Sequence, residues 1–108
     1  MDLQQIFSQT ITARALRKDF SKTLGRFGLI YGEFEVLYLL LSDKSLQPSS
    51  ITAHLQCQPA ATSRIIKSLH QKELVEYNHD ADDRRQVYVA LSAEGKSLIG
   101  DLKKKSQA

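Results

Sequence analysis

Residues 48–91 read PSSITAHLQCQPAATSRIIKSLHQKELVEYNHDADDRRQVYVAL, and a change of period inside this stretch decides the fold. Its first half follows helical spacing. Pro48 ahead of Ser49 and Ser50 marks a helix start, and residues 51–56 make a short helix. Gln58 offers a modest cap for the next helix. Pro59 suits its first turn, because the N–H that proline lacks would be unpaired there anyway. Past residue 73 the apolar residues take on strand character. Residues 74–79 (LVEYNH) and 86–91 (QVYVAL) are rich in β-formers, with Val87, Val89 and Leu91 alternating against Tyr88 and Ala90. The polar DADDRR of residues 80–85 between them reads as the loop of a hairpin. Two short helices followed at once by a hairpin give the order of a winged helix-turn-helix.

Outward from this core the chain is helical. Residues 31–41 form a helix with Phe34, Leu37, Tyr38 and Leu41 on one face, and residues 42–50 (SDKSLQPSS) are rich in turn formers. Further upstream, Leu3, Ile6, Phe7, Ile11, Leu16, Phe20 and Leu24 make one stripe on a long amphipathic helix that stops at Gly25 and Gly28. Downstream, Ser92 caps a last helix carrying Leu98, Ile99 and Leu102 and running into Lys103, Lys104 and Lys105. The expected fold class is mainly α with a small β-hairpin, a single domain over residues 1–108. Within it, residues 1–26 form a long N-terminal helix, residues 30–91 the helix-turn-helix core with its wing at about 79–86, and residues 92–106 a C-terminal helix.

The composition agrees with a globular chain, since 42% of the 108 residues are hydrophobic and 25% charged. No apolar run approaches the length of a membrane span, and the opening MDLQQIFSQT lacks the basic-then-apolar order of a signal peptide. One cysteine cannot form an internal disulfide, which fits a reducing cytoplasm. The net charge of +3 is compatible with a polyanionic partner and equally with an ordinary basic protein, so the placement of the charges has to decide.

That placement is informative on the helix after Pro59. On a helical wheel, Ile65, Ile66 and Leu69 cluster on one side with Thr62 at its centre. The other side carries Ala60, Arg64, Lys67 and Gln71, flanked by Ala61, Ser63 and Ser68, and holds no carboxylate. Small residues let a backbone approach the bases. Arg bonds two acceptors on guanine, and hydroxyls and amides reach phosphates or base edges. These residue types in this order point to a recognition helix.

Residues 51–98 resemble the core of the multiple-antibiotic-resistance regulator (MarR) family, in which a helix-turn-helix leads to a strand, a D-R-R wing and then V-x-L-[ST]-x-x-G. The matching residues are Ser63 and Arg64 in the helix, Leu74 and Val75 entering the hairpin, Asp83, Arg84 and Arg85 in the wing, and Val89, Leu91, Ser92 and Gly95 at its exit. YGEFEVLYLLL at residues 31–41 is similar to the family's second helix, so the likeness spans about residues 29–98. The resemblance implies a homodimeric transcriptional regulator on double-stranded DNA at a pseudo-palindromic operator. Gln58, Ala60, Ala61, Ser63, Arg64 and Lys67 would work the major groove. Arg85 would enter the minor groove, oriented by Asp83, and Arg84 would touch phosphate. It also implies a small-molecule effector, often an anionic aromatic, with Tyr31, Phe34 and Tyr38 as linings that core packing explains equally well.

Three departures from the family pattern stand out. Glu73 occupies a place where the family often has a helix-ending glycine, and Ile30 one often held by a capping Thr or Ser. Members usually continue into one or two long interlocking helices, whereas this sequence stops soon after Ser92. Dimerisation would then lean on the first helix and on Leu98, Ile99 and Leu102.

Other chemistry is sparse. Cys57 sits in the turn, where a small thiol packs well, and the chain supplies no resolving cysteine for a redox switch. His54, His70 and His79 have no metal-ligand spacing, and no phosphate loop or nucleophile with a readable base is present. No cofactor, metal or catalysis is expected. A second reading stays open at this point: an interaction module that uses the winged helix without touching DNA and pairs with another regulator.

Overall fold

The computed structural model describes residues 1–107, with side chains to residue 105, and the chain forms two compact units that divide after Tyr31. The first contains one long helix, α1 (Leu3–Gly25). Asp2 starts it with a capping box: its carboxylate accepts from the Gln5 N–H at 2.8 Å, and the Gln5 side chain accepts from the Asp2 N–H at 3.0 Å. At the other end, the Leu29 N–H returns to the Leu24 carbonyl at 3.0 Å and the Gly28 N–H to that of Gly25 at 3.1 Å. This reversal needs a left-handed residue, and Gly28 supplies it at φ 72°. Leu24 is buried, whereas Leu3, Ile6, Phe7, Ile11 and Leu16 are each at least 44% exposed. The stripe read from the sequence is therefore largely bare.

The second unit runs α2 (Tyr31–Ser42), β1 (Ser45–Leu46), α3 (Pro48–Leu55), α4 (Pro59–Gln71), β2 (Val75–His79), β3 (Val87–Leu91) and α5 (Ala93–Gln107). This is a winged helix-turn-helix, mainly helical with a small antiparallel sheet. The hairpin pairs Val75 with Leu91 and His79 with Val87. A third strand joins it on the other edge of β3, where Ser45 faces Ala90 and Leu46 faces Val89. Residues 45–46 belong to the stretch expected to form a turn. Two residues cannot display an alternation, and only the exposed edge of β3 makes them a strand.

The core of this unit draws Val36, Leu37 and Leu40 from α2, Ile51 from α3, Ile66 and Leu69 from α4, and Val75, Val89 and Leu91 from the sheet. Along α5, Ile99 and Leu102 are buried. The inward face of α2 differs from the expected one, because Tyr38 and Leu41 are exposed while Glu33 lies on the buried stripe. An aromatic phenol tolerates water, so the three aliphatic residues take the interior.

Helix α4 ends in a Schellman motif. The Leu74 N–H bonds to the Leu69 carbonyl at 3.0 Å and the Glu73 N–H to that of His70 at 3.0 Å. Glu73 holds the left-handed position at φ 62°, the role that glycine fills at the end of α1. Helix α5 starts against this turn. The Ser92 hydroxyl donates to the Glu73 carbonyl at 2.6 Å and accepts from the Gly95 N–H at 3.0 Å, while the Ser92 N–H reaches the Leu74 carbonyl at 3.1 Å. Gly95 passes so close that a β-carbon would collide with the Leu74 carbonyl oxygen. Two outcomes follow for denaturant unfolding. Glu73→Gly raises stability by about 0.5–1 kcal/mol, the relieved strain less the added unfolded-state entropy. Gly95→Ala lowers it by about 3 kcal/mol, because the obstacle is backbone and cannot swing aside.

Candidate nucleic-acid interface

The α3–α4 pair is set by its turn. Gln56 ends α3 in the left-handed region (φ 52°, ψ 43°), and Gln58 precedes α4 in extended backbone (φ −81°, ψ 145°). Gln58 thus stands at the N-cap, but its side chain makes no capping bond, and Pro59 removes one of the donors that a cap would serve. The polar anchor of the turn is Thr62. Its side chain is buried, and its hydroxyl oxygen lies 2.7 Å from the Thr52 hydroxyl, which donates to it, and 3.0 Å from the Cys57 sulfur. Cys57 is half-buried and engaged with this hydroxyl, not sealed in the apolar core.

With Thr62, Ile66 and Leu69 turned inward, α4 presents Ala60, Ser63, Arg64, Lys67 and Gln71 to solvent, with Ala61 half-buried beside them. The helix contains no acidic residue. Ser68 departs from its expected flanking place. Its hydroxyl donates inward to Glu33 Oε2 at 2.9 Å, and the same carboxylate receives Lys72 Nζ on both oxygens at 2.8 Å. Glu33 is 1% exposed. The sequence reading missed this cluster. The available signal was one acidic residue in register with Val36, Leu37 and Leu40.

The hairpin loop is closed by short local bonds. The Asp80 N–H donates to the Gln86 carbonyl and the Gln86 N–H to the Asp83 carbonyl, both at 3.0 Å, and Asp80 Oδ1 accepts from the Asp82 N–H at 2.8 Å. Asp83 Oδ1 accepts from the Arg85 N–H at 3.0 Å and from Arg85 Nε at 3.1 Å, with Nη2 3.4 Å from Oδ2. The Arg85 side chain nevertheless stays 91% exposed. One edge of the guanidinium is held while the rest faces solvent. The Arg85 guanidinium, then its backbone N–H, hold the Asp83 carboxyl below the usual carboxylate range, with a smaller contribution from Gln86. Arg84 is exposed, and its carbonyl bonds to His79 Nδ1 at 2.8 Å. The Gln47 amide donates to the Gln86 side chain, tying the wing base to the start of α3. Neither Gln47, Gln86 nor His79 carried a sequence signal for these roles.

Among the described residues no three His, Cys, Asp or Glu side chains converge as a metal site. No helix of the described residues is long and apolar enough to cross a membrane.

The model of the MarR family matches residues 29–87. In sequence, the chain is 30% identical over 92 residues to the uncharacterized HTH-type transcriptional regulator YwaE of Bacillus subtilis, covering 84% of this chain and 54% of that one. It therefore spans about half the length of that relative. Among solved structures, a MarR family transcription regulator superposes with a TM-score of 0.88 at 18% identity, over 96% of this chain and 69% of its own. AbfR in its overoxidized form bound to DNA gives 0.80 at 25% identity, over 94% and 74%.

The wing geometry has a pH consequence. A carboxyl whose folded pKa is depressed contributes stability above its unfolded pKa and loses it as pH falls through the folded value. The Asp83–Arg85 clasp is accordingly present at neutral pH, and acid opens it at a lower pH than an unpaired aspartate would require. A carbon-detected NMR titration of Asp83 should give a midpoint below the ordinary value for an aspartate. In Arg85→Ala the Asp83 midpoint should return toward the ordinary range.

Proposed function

The chain belongs to the MarR family, and on that footing we propose that it is a transcriptional regulator that binds a pseudo-palindromic stretch of double-stranded DNA as a homodimer. The observation that carries this reading is the exposed face of α4, which offers Arg64 and Lys67 among small and hydroxyl side chains with no carboxylate. A phosphate-lined groove repels carboxylates strongly, so a face meant for it excludes them.

Each exposed group then has a role. Ala60 and Ala61 let the start of α4 approach the base edges. Gln58 and Ser63 hydrogen-bond to bases or phosphates, and Arg64 takes the O6 and N7 acceptors of a guanine. Lys67 neutralises backbone charge further along the groove. Arg85, held at one edge by Asp83, enters the neighbouring minor groove, with Arg84 on phosphate. The bare apolar stripe of α1 supports pairing of two protomers. In the dimer the two recognition helices enter successive major grooves roughly 34–36 Å apart. The reading assigns regulation by occupancy of DNA in the cytoplasm, a task that uses no bond-making chemistry. An interaction module indifferent to DNA has no use for a carboxylate-free cationic face.

A duplex recovered by repeated selection from random sequence supplies the probe, and fluorescence anisotropy over a salt series supplies the readout. Arg64→Ala should weaken binding by about 1–3 kcal/mol and relax preference at one base pair. Arg85→Ala should weaken binding and flatten the slope of log affinity against log salt by about one unit. Wild-type protein without salt-sensitive affinity for any selected duplex would overturn the reading. In sedimentation, Phe7→Ser should shift the chain from dimer toward monomer.

A further inference from the structure

Three kinds of contact hold helix α4 in its unit. Ile66 and Leu69 bury apolar surface, which selects the inward face only coarsely because the attraction is non-directional. Near its start, the Thr62 hydroxyl bonds to Thr52 of α3. Ile65, Ser68 and Lys72 form a separate stripe with helical spacing, and all three meet the first turn of α2. A β-carbon at Gly32 would press on Ile65 Cδ1, so the two helices approach closely there. One residue on, the buried Glu33 carboxylate receives Ser68 and Lys72. From this arrangement we infer that Glu33 is a positioning residue: it fixes the rotation of α4 about its own axis and so decides which side chains face the DNA bases.

The geometry makes that coupling direct. Arg64, Lys67 and Gln71 each stand one residue before Ile65, Ser68 and Lys72, about 100° around the helix. Clamping the second stripe aims the first. Charge-assisted hydrogen bonds suit the clamp because they are directional, with each carboxylate oxygen bonded to the ammonium and one also to the hydroxyl. Glu33 sits in the first turn of α2 and Lys72 at the cap of α4. The helix dipoles favour an anion and a cation at those two places. The Glu33 carboxylate is 1% exposed while the Lys72 side chain is 40% exposed. An ion pair with one partner so buried adds little net stability over a well-packed apolar substitute, and its best-attested use is to specify register.

This inference rests on the DNA-binding reading, and the test separates the two. The triple replacement Glu33→Leu, Ser68→Ala and Lys72→Met exchanges the clamp for apolar packing. Its affinity for the selected duplex over an unselected duplex of equal length should fall about ten-fold or more, as mis-aimed base contacts would require. Affinity for the unselected duplex should stay within about two-fold, with the salt slope unchanged, because phosphate contacts tolerate rotation. In the free protein, amide residual dipolar couplings should show α4 reoriented relative to α2, a readout that mere loss of stability does not move. Glu33→Gln, which keeps an acceptor toward Lys72, should retain most of the preference. A triple variant that keeps its preference within about two-fold, with unchanged couplings, overturns the inference while leaving DNA binding intact. If the triple variant does not fold, the near-isosteric pair Glu33→Gln with Lys72→Met, which removes the ion pair, decides: an undiminished preference for the selected duplex overturns the inference. Absence of salt-sensitive binding by the wild type overturns the DNA reading, and the inference falls with it.

Discussion

The backbone reversal at residues 69–74 sets what every neighbouring element can do. It returns the Leu74 N–H to the Leu69 carbonyl, so that α4 stops within one turn and β2 departs at once from Val75. The carbonyls of Glu73 and Leu74 are then taken by Ser92, which is also the cap of α5. A single serine thus fastens the end of one helix, the start of another and the mouth of the hairpin. Buried carbonyls left without such a partner would each cost on the order of 1–3 kcal/mol. The tightness of this junction excludes any side chain at Gly95 while tolerating the strain of a left-handed Glu73.

Charge is distributed with the same economy. The chain carries a net charge of only +3, yet two of its acids are each paired with a cation. Glu33 is folded inside against Lys72 and Ser68, and Asp83 is committed to Arg85. What remains outward on α4 includes no carboxylate. The arrangement matters more than the total, because beyond about 8–10 Å salt screens exposed charges from one another.

The wing depends on contacts with a different part of the chain. Its loop closes on itself through Asp80, Asp83 and Gln86, but its base is tied by Gln47 and flanked by β1. The turn before α3 is therefore also a splint for the hairpin. Displacing it would move the wing as well as α3, since both meet there.

The sequence alone determined the helices and hairpin of the second unit, the inward side of α4 with Thr62, Ile66 and Leu69 and a half-buried Ile65, and the cap at Ser92. These are local: period, capping and turn chemistry act within about four residues and leave their mark in the order of the letters. Tertiary structure alone decided the rest. It made a strand of Ser45 and Leu46, rolled α2 so that Glu33 faces inward and Tyr38 outward, turned Ser68 away from the reading face and joined Gln47 to Gln86. Each of these pairings links residues 35 or more positions apart along the chain or depends on an element that distant. No local period encodes such a partner. It exists only once packing of the core has brought the two segments together.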